Sequence, residues 1–120
     1  MSTPLYQLKA AFFKALGHPI RVRILELLVE GPRSVSELNE AVGIEASHLS
    51  QQLGVLKRAG LVDSVKSGSN VTYFLLHEEV SELLAIARRI LTEVLTDSAR
   101  LLADLAEPTS SAYGPTGAQS

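Results

Sequence analysis

The side chains best suited to chemistry in this sequence lie together in residues 44–61, IEASHLSQQLGVLKRAGL. A helix turns by about 100° per residue. That rotation gathers five polar side chains on or beside the face opposite the leucines: Ser47, His48, Ser50, Gln51 and Gln52. Side chains that both donate and accept hydrogen bonds suit the edges of base pairs in a DNA major groove. The alternative is a solvent-exposed face that carries no charge, and this helix alone supports both interpretations equally.

Metal chemistry has few candidate ligands in this sequence. Cysteine is absent, which excludes disulfides, thiolate metal sites and thiol redox sensing. His18, His48 and His77 have no spacing typical of a ligand pair, so we interpret each as structural or DNA-contacting. Asp97 and Asp104, seven residues apart, share one side of a helix and could join a site across a dimer. Any metal bound would be Ni²⁺, Co²⁺ or Zn²⁺, held by nitrogen and oxygen ligands.

The composition indicates one domain that is neither an enzyme nor a membrane protein. A chain of 120 residues can bury one core. No apolar run is long enough to span a membrane and the N-terminus does not resemble a signal peptide, so we expect a cytoplasmic protein with no membrane partner. Serines and histidines occur without a motif that joins them, and there is no glycine-rich phosphate loop or cofactor fingerprint.

The polar face of residues 44–61 lies opposite an apolar stripe of leucines at four- and three-residue spacing. Just upstream, Ser34 and Glu37 form the pattern of a capping box, which predicts a short helix that ends at Gly43. Two short helices joined by a tight turn make a helix-turn-helix, whose second helix enters the major groove of DNA. Gly60 follows this second helix as a C-terminal glycine would.

Elements on either side complete a winged helix. Helices are predicted over 5–16 and 20–29, before the helix-turn-helix. After it, the β-prone runs 61–66 and 71–76 flank a Ser-Gly-Ser-Asn turn, which is a hairpin signal. The sequence therefore predicts a mostly α fold with a β-hairpin, a winged helix-turn-helix in the order ααααββα.

The last predicted helix, residues 78–105, has more apolar surface than one side of a small domain can cover. The simplest partner is a second copy of this helix, with the helix over 5–16 beside it, so we predict a homodimer. The domain would span 1–106, and a disordered tail rich in Pro, Gly, Ser and Thr would follow at 107–120. The predicted interface residues are Leu5, Leu8, Phe12, Leu84, Ala87, Leu91, Val94 and Leu101.

The net charge is −2, but the charges are unevenly distributed. All the charged residues before Glu26 are basic. The acidic residues are concentrated in residues 26–45 and in the last third of the chain. A modest basic surface fits binding by shape and hydrogen bonds as well as by charge. Further candidate DNA contacts come from the end of the second helix and from the hairpin: Lys57, Arg58, Lys66, Ser69 and Asn70.

Two stretches resemble the ArsR/SmtB family of winged-helix repressors. ALGHPIRVRIL at residues 15–25 is similar to the opening signature of that family, and SQQLGVLKRAGLV at 50–62 is similar to its recognition helix and exit. The resemblance spans about residues 5–105. It implies a homodimer built from the first and last helices, a palindromic operator, and repression that is relieved by an effector, most often a metal ion.

The chain departs from the family pattern where its relatives bind metals. Without cysteine, the Cys-x-Cys site beside the helix-turn-helix cannot form. The family's other common site uses histidines of the last helix, and the helix predicted here carries acids but no histidine. The wing turn also lacks the arginine that relatives tend to carry. Metal sensing through nitrogen and oxygen ligands and sensing by a separate protein both stay open.

A winged helix that binds proteins instead of DNA is the alternative function. The polar face around Ser47 and Gln51 argues against it, since a protein-binding face would more often expose aromatic or large aliphatic anchors. We therefore expect a sequence-specific DNA-binding repressor that acts as a homodimer on a double-stranded operator.

Overall fold

The computed structural model describes residues 2–106, and over them the order ααααββα is confirmed, with one short strand added. The helices are α1 (Leu5–Leu16), α2 (Pro19–Val29), α3 (Val35–Val42), α4 (Ala46–Arg58) and α5 (Glu79–Ala106). The strands are β1 (Arg33–Ser34), β2 (Val62–Ser67) and β3 (Asn70–Leu75). The tail predicted at 107–120 lies outside the described residues. None of the helices within 2–106 has the length and apolar character that a membrane crossing demands.

The chain divides into two compact units, Met1–Glu82 and Leu83–Ser120. We call the described part of the first, residues 2–82, the body, and that of the second, residues 83–106, the helical extension. The body contains α1 to α4, the three strands and the first turn of α5, and the helical extension is the remainder of α5. That one domain spans residues 1–106 stays a prediction.

The core of the body is built around α2, which is apolar over most of its circumference. Ile24, Leu25, Leu27 and Leu28 are all buried on this helix. The other buried apolar side chains come from α3, α4, the start of the hairpin and the first turn of α5: Leu38, Leu49, Leu53, Leu56, Leu61, Val62 and Val80. Burying one such side chain contributes about 1.5–3 kcal/mol. Burial of the leucine stripe predicted for α4 therefore stabilises the packing of this helix against the rest of the body.

The helix-turn-helix forms where the local signals place it. Ser34 Oγ accepts a hydrogen bond from the Glu37 N–H at 3.0 Å, and Glu37 Oε1 accepts one from the Ser34 N–H at 2.8 Å, which completes the predicted capping box. Gly43 ends α3 with a φ of +74°, a left-handed conformation that favours glycine. Asn39 Nδ2 then donates to the Ile44 carbonyl at 2.8 Å and holds the turn into α4.

The wing is a three-stranded antiparallel sheet in the order β1-β3-β2. Ser67 pairs with Asn70, so the hairpin closes over a two-residue turn in which Gly68 has a φ of +64°. The strands lie within one residue of their predicted positions. The addition is β1, whose Arg33 and Ser34 pair with Tyr73 and Thr72. This pairing joins the start of α3 to the wing.

Candidate nucleic-acid interface

One face of α4 is polar and exposed while the opposite face is buried. Ser47, Ser50 and Gln51 are exposed, and His48 is half-buried. The three leucines on the other side have at most 2% of their surface exposed. The buried face holds the helix still, and the exposed face presents hydroxyl and amide groups to the surroundings. Such groups can form hydrogen bonds with base edges in a major groove.

Gln52 does not belong to this polar face, which corrects the sequence-based prediction. Its side chain is only 8% exposed, and its Oε1 accepts a hydrogen bond of 2.8 Å from Arg21 Nη1. A carboxamide that is buried and bonded inside the protein is not at the surface that a DNA duplex would contact. The helical rotation placed Gln52 at the edge of the polar face, and an edge position can be either exposed or covered by a neighbouring helix.

Lys57 joins the end of α4 to the wing. Its Nζ donates to Ser64 Oγ at 3.1 Å and lies 3.6 Å from Asp63 Oδ1. Lys57 and Asp63 are each about half exposed, so this ion pair contributes little stability. A phosphate contact by Lys57 would have to share these partners, and that contact stays a prediction. The Ser64 hydroxyl is a partner that the sequence did not indicate.

The other side chains predicted to contact DNA from the end of α4 and from the hairpin are exposed. Arg58 lies against Gly54, where an added Cβ would come within 3.2 Å of the guanidinium Nη1. Lys66 pairs with Val71 in the hairpin, and Ser69 and Asn70 lie in or beside its turn. Arg58 and Lys66 carry the positive charge that phosphate contacts need.

His18 and His48 are brought together, with their ring centroids 6.2 Å apart and the rings nearly perpendicular. His18 is the N-cap of α2: its Nδ1 accepts a hydrogen bond of 3.1 Å from the Ile20 N–H, and Pro19 follows at the first helical position. We therefore assign the ring proton of neutral His18 to Nε2. Nε2 could bind a metal only if its proton moved to Nδ1, and His18 would then no longer accept the hydrogen bond that caps α2.

The predicted metal ligands do not form a site within the part of the chain that is described. No group of three or more His, Asp or Glu side chains comes together there. His77 is exposed before α5, and Asp104 is exposed on the helical extension. Asp97 is 3.9 Å from Arg100 on the same exposed face. Within one chain these residues do not come close enough together to hold a metal ion, and a site that a second copy completes stays a prediction.

The predicted dimer residues remain largely uncovered in the single chain. On α1, Leu5 and Leu8 are more than half exposed, and Phe12 is half-buried. On α5, Leu91, Val94 and Leu101 are at least half exposed. Ala87 is exposed and Leu84 is half-buried. Each helix thus has an apolar face that its own unit does not cover, which is typical of an interface.

Comparison with known proteins identifies the family. Residues 18–64 match the family described as bacterial regulatory protein, arsR family. The HTH-type transcriptional regulator Rv0081 of Mycobacterium tuberculosis is 55% identical over 105 residues, which is 87% of this chain and 92% of that protein. The biofilm growth-associated repressor of Xylella fastidiosa is 39% identical over 75 residues, 62% of this chain and 66% of the repressor.

Solved structures agree with this relationship. The crystal structure of M. tuberculosis Rv0081 matches with a TM-score of 0.75 and 56% identity, covering 82% of this chain and 99% of that one. The homodimeric winged helix-turn-helix DNA-binding domain of Mycobacterium bovis Mb0332 matches with a TM-score of 0.68 and 33% identity, covering 76% and 84%. The resemblance and the winged-helix fold are confirmed, and the family consists of regulators, not enzymes. The chain belongs to the ArsR family of bacterial regulatory proteins and is a winged-helix transcriptional regulator.

Proposed function

We propose that this regulator is a sequence-specific repressor that binds a palindromic operator as a homodimer in the cytoplasm. The observation that carries the proposal is the exposed face of Ser47, Ser50 and Gln51 on a helix whose other face is fully buried. A rigidly held helix with this face can enter a major groove and form hydrogen bonds with base edges. Exposed Arg58 and Lys66 would contact phosphates and fix the register.

Homodimerisation is proposed from the apolar faces and from a relative. The M. bovis domain is described as homodimeric and DNA-binding, and the Xylella fastidiosa relative as a repressor. Here α1 and the helical extension each expose leucines that a second copy would cover. A two-fold dimer would present two copies of α4 to half-sites about 34 Å apart, in successive major grooves. A palindromic operator follows from that symmetry.

The test is the substitution of Gln51, the residue proposed to contact a base. Gln51→Ala should weaken binding to the operator by about 1–3 kcal/mol and relax the preference at one base pair, because a bidentate contact to adenine is lost. Fluorescence anisotropy with DNA from the upstream region of the regulator's own operon measures the affinity. Gln7→Ala, on the exposed side of α1, is the matched control and should change nothing.

Lys66→Ala should have the opposite effect on specificity, lowering affinity without changing the preference for any base pair. Loss of one phosphate contact should weaken every DNA sequence alike and lower the salt slope by about one unit. Equal losses for Gln51→Ala on operator and random DNA would exclude base reading by Gln51. Absence of operator binding by the wild-type protein would favour the protein-interaction alternative.

The signal that releases the repressor is a separate question. Within residues 2–106 of one chain, no three His, Asp or Glu side chains come together as metal ligands. Two routes remain proposals: a site with nitrogen and oxygen ligands that a second copy completes, and a separate sensor protein. Calorimetric titration of Ni²⁺ and Zn²⁺ into the dimer separates them. Micromolar binding that shifts operator affinity supports direct sensing, and binding without that shift, or no binding, supports a partner.

A further inference from the structure

Arg21 connects three helices of the body through one side chain. It belongs to α2, and its Nε and Nη2 donate to the carbonyls of Ala15 and Lys14 at 2.5 and 3.1 Å. Its Nη1 donates to Gln52 Oε1 on α4 at 2.8 Å. The planar guanidinium therefore reaches the end of α1 and the middle of α4 at the same time.

The chemistry at both ends of this connection is favourable. Ala15 and Lys14 lie in the last turn of α1, where a positive charge is favoured. The Lys14 carbonyl also accepts a hydrogen bond of 3.1 Å from the Gly17 N–H, so Arg21 adds a second donor to it. Gln52 is buried, so its carboxamide oxygen needs a hydrogen-bond donor, and Arg21 supplies one. Both Arg21 and Gln52 are therefore engaged in hydrogen bonds within the protein.

The apolar side chains of α1 pack only partly against the rest of the body. No residue of α1 is buried, although the helix contacts both α2 and α4. The hydrogen bonds from Arg21 therefore add to the partial burial of Phe12, Ala15 and Leu16 in fixing α1 relative to α4. In the proposed repressor α1 lies in the dimer interface and α4 in the major groove.

We infer that Arg21 is a positioning residue for operator binding, which acts through Gln52 by fixing the angle between the dimerisation helix α1 and the recognition helix α4. The inference rests on the proposed function. In a two-fold dimer, a tilt of α4 relative to α1 occurs in both protomers and changes the separation of the two base-reading faces. Gln51, next to Gln52 in the chain, would then meet its base pair at the wrong height.

The test uses two variants that break the connection from either end. Arg21→Lys keeps the positive charge but has a single donor group, which cannot reach α1 and α4 together. Gln52→Met keeps the length of the side chain and removes the acceptor. Each should lower operator affinity about tenfold, because DNA binding would then have to restore an angle between α1 and α4 that one charged hydrogen bond no longer fixes. The double variant should lose no more than either single variant, because both remove the same contact.

Operator spacing is the readout that distinguishes positioning from a structural role. Wild-type protein should prefer one half-site separation in a series of operators lengthened or shortened by one base pair. The two variants should bind this series with a flattened or shifted preference, while affinity for random DNA and the salt slope stay unchanged. Arg23→Lys is the matched control and should behave as wild type, since Arg23 is half exposed and pairs with Glu26 of its own helix at 3.4 Å.

Three outcomes would overturn the inference. Wild-type spacing preference and affinity in both variants would show that the connection does not position α4. Retained binding in Arg21→Lys with a loss only in Arg21→Ala, together with a lower salt slope, would make Arg21 a phosphate contact. Equal losses at every spacing, with a lower melting temperature, would show a structural role. If Arg21→Lys does not fold, Gln52→Met decides alone.

The same experiments separate this inference from the function on which it rests. If the wild-type dimer binds no operator, the proposed function fails and the inference fails with it. If the wild type binds with a clear spacing preference and the variants match it, only the inference fails.

Discussion

The body and the helical extension use their leucines in opposite ways. All the buried apolar side chains within residues 2–106 lie between Ile24 and Val80, and none lies in the helical extension. The extension is nevertheless rich in large apolar residues, and Leu102 and Leu105 are 66% and 73% exposed. Exposed apolar surface of this kind is unfavourable in water. The body thus completes its own core, whereas the extension leaves its large apolar side chains exposed in the single chain, as the proposed dimer requires.

The sharpest test of this contrast places charges on the apolar stripe of α5. Leu91→Asp combined with Val94→Asp should give monomers, because a dimer would have to bury unpaired carboxylates. Operator affinity should fall about 10²- to 10⁴-fold, since the second half-site is no longer bound by the same molecule. Analytical ultracentrifugation and anisotropy measure the two effects.

The matched control places the same charges on the polar side of the same helix. Thr92→Asp with Thr96→Asp should leave the dimer and the operator affinity unchanged, since both side chains are exposed. A dimer that survives the Leu91/Val94 double substitution would show that the interface lies elsewhere. The exposed leucines of the extension would then not explain how the dimer forms.

A smaller effect separates the two regions by stability. In the monomeric double variant, Leu56→Ala should still lower the free energy of unfolding by about 2–5 kcal/mol, because Leu56 is fully buried within the body. Leu101→Ala in the same background should cost less than about 0.5 kcal/mol, because that leucine is 60% exposed in the single chain. Urea denaturation measures both changes.

The wild-type background gives the complementary result. There Leu101→Ala should raise the dimer dissociation constant, since Leu101 is one of the residues predicted to lie between protomers. A large loss of unfolding free energy for Leu101→Ala in the monomeric background would mean that the body covers the extension. That result would break the contrast.

Much of the fold was predictable because its signals are local. The Ser34 capping box, the Gly43 helix end and the Gly68 turn each depend on a few neighbouring residues whose chemistry permits one conformation. The leucine stripe of α4 follows from helical periodicity, and its burial is confirmed. Local chemistry therefore predicted the recognition helix and the wing.

What the sequence did not predict depends on contacts between distant residues. The bond between Arg21 and Gln52 spans 31 positions, and β1 is too short for any periodic pattern. The Lys57–Ser64 bond requires the hairpin to fold back onto α4. The sequence could therefore predict which residues lie near the candidate interface, but not which polar side chains hold α4 in place.

The capping box also allows a finer comparison of the two regions. Ser34→Ala should cost about 1 kcal/mol of unfolding free energy, because the Glu37 N–H at the start of α3 loses its acceptor. Ser36→Ala, at an exposed position two residues further along the chain, is the control and should cost less than about 0.5 kcal/mol.

In the helical extension the corresponding hydroxyl should matter less. Thr92 Oγ1 donates to the Arg88 carbonyl at 2.8 Å, but that carbonyl lies within a continuous helix, and threonine favours helices less than alanine does. Thr92→Ala should therefore change the unfolding free energy by less than about 0.5 kcal/mol or increase it slightly. Urea denaturation of all three variants at one protein concentration makes the comparison. A loss for Thr92→Ala equal to that for Ser34→Ala would mean that the extension, like the body, relies on its own side-chain hydrogen bonds.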